Sequence, residues 1–288
     1  MGVLEGKVVL ITGTSKGGIG SAIAERFAAE GAHIAMAARD VEGLNAALAR
    51  VEGAGSRGVV FACDLSLDGG GRDTLVARTE AALGPLDILV NNSAAGGYKP
   101  FSAWRIDDAR RMQEVNVWAP WILAQHTVAS LRTRGSSGAI INVSSSAADI
   151  PQGPVFLNTA PSRAGAAYGG TKAMLNRMTI SLAHEVMHEG ISANTLAPQA
   201  AAATPALVAS NWLDDGYFEP LDTLAEAALA LGTVDARVCT GRILYSLEYL
   251  VERGLAVHDV TGRHLLADWQ PADIVAKIAV MRALQYRT

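Results

Sequence analysis

Short β-branched runs alternate with helical stretches of ten or more residues, and this alternation limits the possible folds more than any other feature of the chain. The first unit is the clearest. Val8 to Thr12 reads as a buried strand and Gly13-Thr14-Ser15-Lys16-Gly17-Gly18-Ile19-Gly20 as a glycine-rich turn. Ala22, Ile23, Ala24, Phe27 and Ala28 then mark one face of a helix that runs to Gly31. The pattern repeats with strand His33 to Ala38, helix Val41 to Val51, strand Gly58 to Ala62 and helix Arg72 to Leu83. After the break at Gly84-Pro85 comes strand Leu86 to Val90. A long helical region, Ile106 to Arg134, leads to strand Ala139 to Val143, and helix Ala167 to His188 leads to strand Ile191 to Ala197. Leu224 to Leu231 is helical. Thr240 to Tyr245 is preferred as the last strand over Thr261 to Leu266, because its spacing from the preceding helix fits.

Strands joined by helices run parallel, so the expected architecture is α/β: a Rossmann-type, doubly wound parallel sheet of about seven strands flanked by helices. A chain of 288 residues, half of them hydrophobic, can bury one such core. The expected organisation is one domain over 1–288, with a core at 5–246 and a helix-containing C-terminal extension at 247–288. The extension is expected to cover a pocket or mediate assembly. A net charge of −4 argues against nucleic acid. No apolar run approaches the roughly 18 residues of a membrane span. Met1 to Lys7 lacks the basic and apolar regions of a signal peptide, so a cytoplasmic location is expected. Cys63 and Cys239 are too few for a disulfide framework, and the six histidines lack metal-ligand spacing, so no catalytic metal is expected.

In doubly wound sheets ligands bind beyond the carboxyl ends of the strands. The glycine turn, Arg39, Asp64 and Asn92 all fall there. A strand–glycine turn–helix unit suits a dinucleotide: glycines let backbone N–H groups approach the pyrophosphate at the helix N-terminus. The second strand ends in Ala37-Ala38-Arg39 rather than in an acid. With Lys16 in the turn, two cations suit a 2′-phosphate, so NADP(H) is preferred and NAD(H) stays open. Asp40, one residue on, equally suits a helix cap. Tyr168 and Lys172 are four apart, so on a helix they share a face. A lysine ammonium beside a tyrosine favours the phenolate, which fits the phenol for acid–base work near neutral pH.

Thr12-Gly13…Gly18-Ile19-Gly20, Asp64-Leu65, Asn91-Asn92-Ser93-Ala94, Asn116, Ile141-Asn142-Val143-Ser144-Ser145, Tyr168-x-x-x-Lys172 and Ala197-Pro198 occur in this order. With them the chain, over about residues 5 to 246, resembles the short-chain dehydrogenase/reductase family. The resemblance implies a catalytic tetrad of Asn116, Ser145, Tyr168 and Lys172. It implies a cofactor site of Gly13, Ser15, Lys16, Gly18, Ile19, Gly20, Arg39, Asp64, Leu65, Asn92, Tyr168, Lys172 and Pro198. In it Asp64 and Leu65 meet adenine, Asn92 lines the nicotinamide-side ribose, and Lys172 holds a ribose hydroxyl. Asn116 holds a water that feeds protons to Lys172. It further implies an oxidoreductase that interconverts a hydrophobic secondary alcohol and its carbonyl, assembled as a homodimer or homotetramer. The alternatives are a 3-oxoacyl-thioester reductase, for which Arg105, Arg110 and Arg111 would supply a basic patch, and a non-catalytic nucleotide-binding protein.

The chain departs from the family pattern in places. The glycine turn has one extra residue, either Lys16 or Gly17. Gln199 stands where glycine usually follows the proline. Ser145 lies 23 residues before Tyr168 (168 − 145), about ten more than usual; Ser144 and Ser146 are its alternatives. The long loop from Ala147 to Ala167 is expected to form a wall of the substrate pocket. Ala200 to Leu221, with Trp212, Tyr217 and Phe218, is expected to cover it. Trp104, Trp118 and Trp121 are expected either to line the pocket or to pack in the core or an interface.

Overall fold

The strands are almost wholly apolar because both faces of the sheet are covered. In β1 (Val8–Thr12) every residue is buried. Val9 and Ile11 join one core layer and Val8 and Leu10 the other, following the two-residue period of a strand. The structure, a computed structural model, describes residues 2–67, 69–97, 99–150, 165–211 and 217–285.

After β1 come α1 (Ile19–Ala29), β2 (His33–Ala38), α2 (Val41–Gly53), β3 (Gly58–Ala62), α3 (Leu75–Leu83) and β4 (Ile88–Asn91). The predicted helix at 72–83 opens with a separate 3₁₀ turn, Arg72–Thr74, after Gly71 in the left-handed region. The predicted helix at 106–134 is also not continuous. It divides into α4 (Ile106–Gln113), a π-helical segment (Glu114–Trp118) and α5 (Ala119–Arg134). Next come β5 (Gly138–Val143), α6 (Ala166–Val186), β6 (Ile191–Ala197), β7 (Ala201–Ala202), α7 (Pro205–Ala209), β8 (Phe218–Glu219), α8 (Leu221–Thr233), β9 (Ile243–Tyr245), α9 (Ser246–Arg253) and α10 (Pro271–Gln285).

The main sheet has seven parallel strands in the order β3-β2-β1-β4-β5-β6-β9. The order reverses between β1 and β4, the switch point at which open α/β sheets bind ligands. Residues 243–245 supply the last strand. Of the rival segment, only a single antiparallel bridge, Leu265 to His258, forms. β7 and β8 pair in a separate two-stranded ribbon. The segment after 246 packs back onto the α1/α8 layer, with Val257, Ile274, Ile278 and Met281 buried in that core. None of its described residues lines the cavity described below.

Among the described residues, no helix is long and apolar enough to cross a membrane.

Candidate active site

The carboxyl edge of the sheet is held together at the switch point by Asn92, the residue after β4. Its Nδ2 donates to the carbonyls of Thr12 (2.9 Å) and Gly13 (3.0 Å). The Thr12 hydroxyl accepts from the N–H groups of Asn92 and Ser93. These bonds tie β4 to the glycine turn and spend the Asn92 amide donors on backbone. Space here depends on glycine. Gly13 has φ 76°, and a methyl group on Gly20 would overlap the Asn92 amide. α1 begins at Gly18 without a side-chain cap and with no acid in its first turn. Its first N–H groups, with the positive end of the helix dipole, therefore suit an anion.

A cavity of about 840 Å³ opens above this edge. Of the predicted residues Gly13, Ser15, Lys16, Arg39, Asp64, Leu65 and Asn92 line it. Gly18, Ile19, Gly20 and Pro198 do not, nor do Asn116, Ser145, Tyr168 and Lys172. The wall also contains residues that were not expected there: Ala95 to Gly97, Lys99, Asp108, Arg111, Met112 and Val115. No spacing pattern marks them: the loop after β4 supplies Ala95 to Gly97 and Lys99, α4 supplies Asp108, Arg111 and Met112, and the π-helical segment supplies Val115.

Charge in the cavity is mixed. The Asp40 carboxylate accepts from the Gly43 N–H at 3.2 Å as the N-cap of α2, which leaves Arg39 as the cation at the end of β2. Burial acts to raise the Asp64 carboxyl. Hydrogen bonds from the Ser66 hydroxyl and N–H, with the Arg39 and Arg111 guanidiniums, outweigh it and hold Asp64 below the usual carboxylate range. Of the three arginines considered as a basic patch, only Arg111 lines the cavity, 3.9 Å from Asp64. Arg110 pairs with Asp107. Trp104 lines the cavity beneath Lys99, whose Nζ lies 5.0 Å from the indole centroid. Trp118 and Trp121 instead meet edge to face at 6.3 Å, with Trp121 exposed.

Tyr168 and Lys172 stand in the first turns of α6, as their spacing predicts. Lys172 is buried, and its Nζ donates to the Val143 carbonyl (2.7 Å) and lies 5.9 Å from the Tyr168 ring centroid. Burial lowers the Lys172 ammonium to about 8, so it is still mostly charged at neutral pH. A ladder of buried polar bonds sets the register of α6 against the sheet. Asn91 donates to Asn142, Asn142 to Thr179, and Ser144 to Asn176. Ser144 is thereby occupied. Ser145, half-buried at the strand end, accepts from the Ala147 N–H at 3.2 Å and keeps its own O–H to donate. Gly169 permits the approach of the two segments, since a methyl group there would overlap the Ala147 carbonyl oxygen.

Asn116 is fully buried in the π-helical segment. Its Oδ1 accepts from the Ala95 N–H (2.8 Å), and its Nδ2 donates to the Ala95 carbonyl (2.9 Å) and to Thr171 Oγ1 (3.0 Å). The side chain thereby clamps the β4 loop to α6. The Asn116 carbonyl cannot receive the usual α-helical bond, because residue 120 is a proline without an N–H.

The expected pocket wall at 147–167 falls largely on residues 151–164, outside the described residues, as does Trp212 of the expected cover.

A family model described as short chain dehydrogenase matches residues 7–212. A short chain dehydrogenase of Pseudocercospora fijiensis is 34% identical over 199 residues, 68% of this chain and 60% of that protein. The chain therefore spans less than two thirds of that relative's length. The 3beta-hydroxysteroid dehydrogenase 1 of Eggerthella lenta is 30% identical over 261 residues, 84% of this chain and 92% of that one. Among solved structures, a metagenomic short-chain oxidoreductase in complex with NADP superposes with a TM-score of 0.68 at 28% identity. That match covers 84% of this chain and 97% of the other.

Proposed function

This chain belongs to the short-chain dehydrogenase family, an oxidoreductase acting on CH–OH groups, and from that premise we propose that it is NADP(H)-dependent and interconverts a hydrophobic secondary alcohol and its carbonyl. One observation carries this reading: the glycine turn, Arg39, Ser145 and the Tyr168–Lys172 pair share one edge of the sheet. The cofactor fits what is there. The uncapped N-terminus of α1 takes the pyrophosphate, and Arg39, with Asp40 turned into its cap, takes the 2′-phosphate. When bound, the nicotinamide supplies or accepts the hydride. Tyr168 gives a proton to the substrate oxygen in reduction and removes it in oxidation. The Lys172 charge stabilises the phenolate that remains. The Ser145 hydroxyl donates to the same oxygen as charge develops there. The Asn116 amide keeps the Ala95 loop and α6 in register, and its backbone carbonyl is the group to hold a water.

A panel of ketones and alcohols with NADPH and NADH tests this. Tyr168→Phe is expected to lower kcat by a factor of about 100 or more, the usual contribution of a positioned acid or base, with NADPH binding retained. Arg39→Ala is expected to weaken NADPH selectively. Hydrogen bonds to charged groups contribute about 1.5–3 kcal/mol, so kcat/KM with NADPH should fall about 10- to 100-fold while NADH changes little. Normal turnover in the phenylalanine variant, or equal loss with both cofactors in the alanine variant, would refute the respective assignment.

A further inference from the structure

Glu219 is a carboxylic acid with no exposed surface, and no salt bridge to it is found among the described residues. An acid buried without a cation is costly unless hydrogen bonds replace its water. Here they do. Oε2 accepts from the Ser246 hydroxyl of α9 (2.6 Å) and the Thr223 hydroxyl of α8 (3.1 Å), and Oε1 accepts from the Ala200 N–H (3.1 Å). Ser246 Oγ in turn accepts from the Gln199 N–H (3.2 Å). The Glu219 backbone belongs to β8, and its carbonyl accepts from the Ala203 N–H (2.9 Å). Glu219 therefore holds the segment that leaves β6 directly at residues 200 and 203 and, through Ser246, at residue 199.

That segment crosses to the glycine turn. A methyl group built on Gly18 would meet Thr204 Cγ2 at 3.5 Å, and one on Gly17 would meet Pro205 Cγ at 3.7 Å. Residues 198–205 thus form a strap from the carboxyl end of β6 to the turn at the head of α1. Glu219 fastens it to α8 and α9.

We propose that Glu219 is a positioning residue for cofactor binding: its buried carboxylate, with Ser246, anchors the strap 198–205 over the glycine turn and so sets the affinity for NADP(H). The proposal rests on the cofactor reading above. It assigns Glu219 no chemistry, so its loss should act on binding and leave turnover at saturating cofactor nearly unchanged.

The test combines NADPH titration, steady-state kinetics and amide hydrogen exchange on the full chain carrying Glu219→Gln or, as a milder change, Ser246→Ala. In Glu219→Gln, exchange at residues 199–203 should speed up while the central strands stay protected. The Kd for NADPH should rise about tenfold, the effect of losing one hydrogen bond to a charged acceptor. At saturating NADPH, kcat should stay within about twofold. Ser246→Ala should shift the same readouts in the same direction by less. If wild type binds NADPH and both variants bind it equally well, the proposal is overturned while the cofactor reading stands. A fall in kcat without a change in Kd overturns it as well. If wild type binds no NADPH, the cofactor reading fails and this proposal falls with it.

Discussion

Gly43 and Gly169 show how single residues set the geometry of the edge. Both lie in helices, where Gly→Ala ordinarily stabilises by about 0.5–1 kcal/mol. Here a methyl group on Gly43 would overlap the Ser15 carbonyl oxygen, and one on Gly169 that of Ala147. Gly43→Ala is therefore expected to displace the glycine turn and raise the NADPH Kd about tenfold with kcat preserved. Gly169→Ala should lower kcat by a similar factor with Kd preserved, because it moves Tyr168 away from the Ser145 segment. Titration and steady-state kinetics on the two variants separate these outcomes, and the reverse assignment of the two effects would contradict the geometry. Glu219 supplies a pH dependence at the same scale. Burial raises its carboxyl to about 7 from the ordinary glutamate value of 4.5. Between those values the folded chain holds a proton that the unfolded chain has released, so this residue's contribution to stability falls as pH rises through that window and levels off above it. The unfolding free energy of wild type relative to Glu219→Gln should be larger at pH 5 than at pH 8, and urea titrations at the two values measure it. Neither glycine carries a signal of its own in the sequence, since only the partner across the gap makes a side chain impossible.

The element that most changed in meaning is the region 106–134. Helical periodicity is plain there, and Asn116 stands out as a poor mid-helix residue. What could not be read is that the helix widens to a π segment at Glu114–Trp118 and turns the Asn116 amide onto Ala95 and Thr171. Pro120 is the local part of the cause, since it removes one N–H from the ladder. The loop after β4 is the other part, because its unpaired backbone groups need a partner. Asn116→Ala leaves the N–H and carbonyl of Ala95 without that partner. It should destabilise the fold by roughly 1–3 kcal/mol per group left buried and unsatisfied. A melting curve measures this directly, and an unchanged Tm would mean that the clamp contributes nothing. The polar ladder from Asn91 through Asn142 to Thr179 belongs to the same scale: the residues of a strand motif fix how α6 sits, and hence where Tyr168 and Lys172 stand.

Across the whole molecule the C-terminal segment is part of the core rather than an appendage. Tyr249 and Leu250 are buried in the α1/α8 layer along with Val257, Ile274, Ile278 and Met281. Truncation after Arg253 should uncover that layer, with a cost of about 1.5–3 kcal/mol for each large apolar side chain whose burial is lost. The shortened chain is expected to lose its cooperative melt or melt far below wild type; an unchanged Tm would show the segment to be dispensable. The sequence by itself determined the alternation of strands and helices and the doubly wound sheet. Periodicity of two and of about four, and glycine between strand and helix, are local properties that the chain states residue by residue. The tertiary structure alone decided which groups share a neighbourhood. It brought Lys99 and Arg111 into the cavity, set Lys172 against the Val143 carbonyl and buried Glu219 beneath the strap. Those outcomes depend on contacts between residues far apart in the chain, and neither composition nor spacing encodes such contacts.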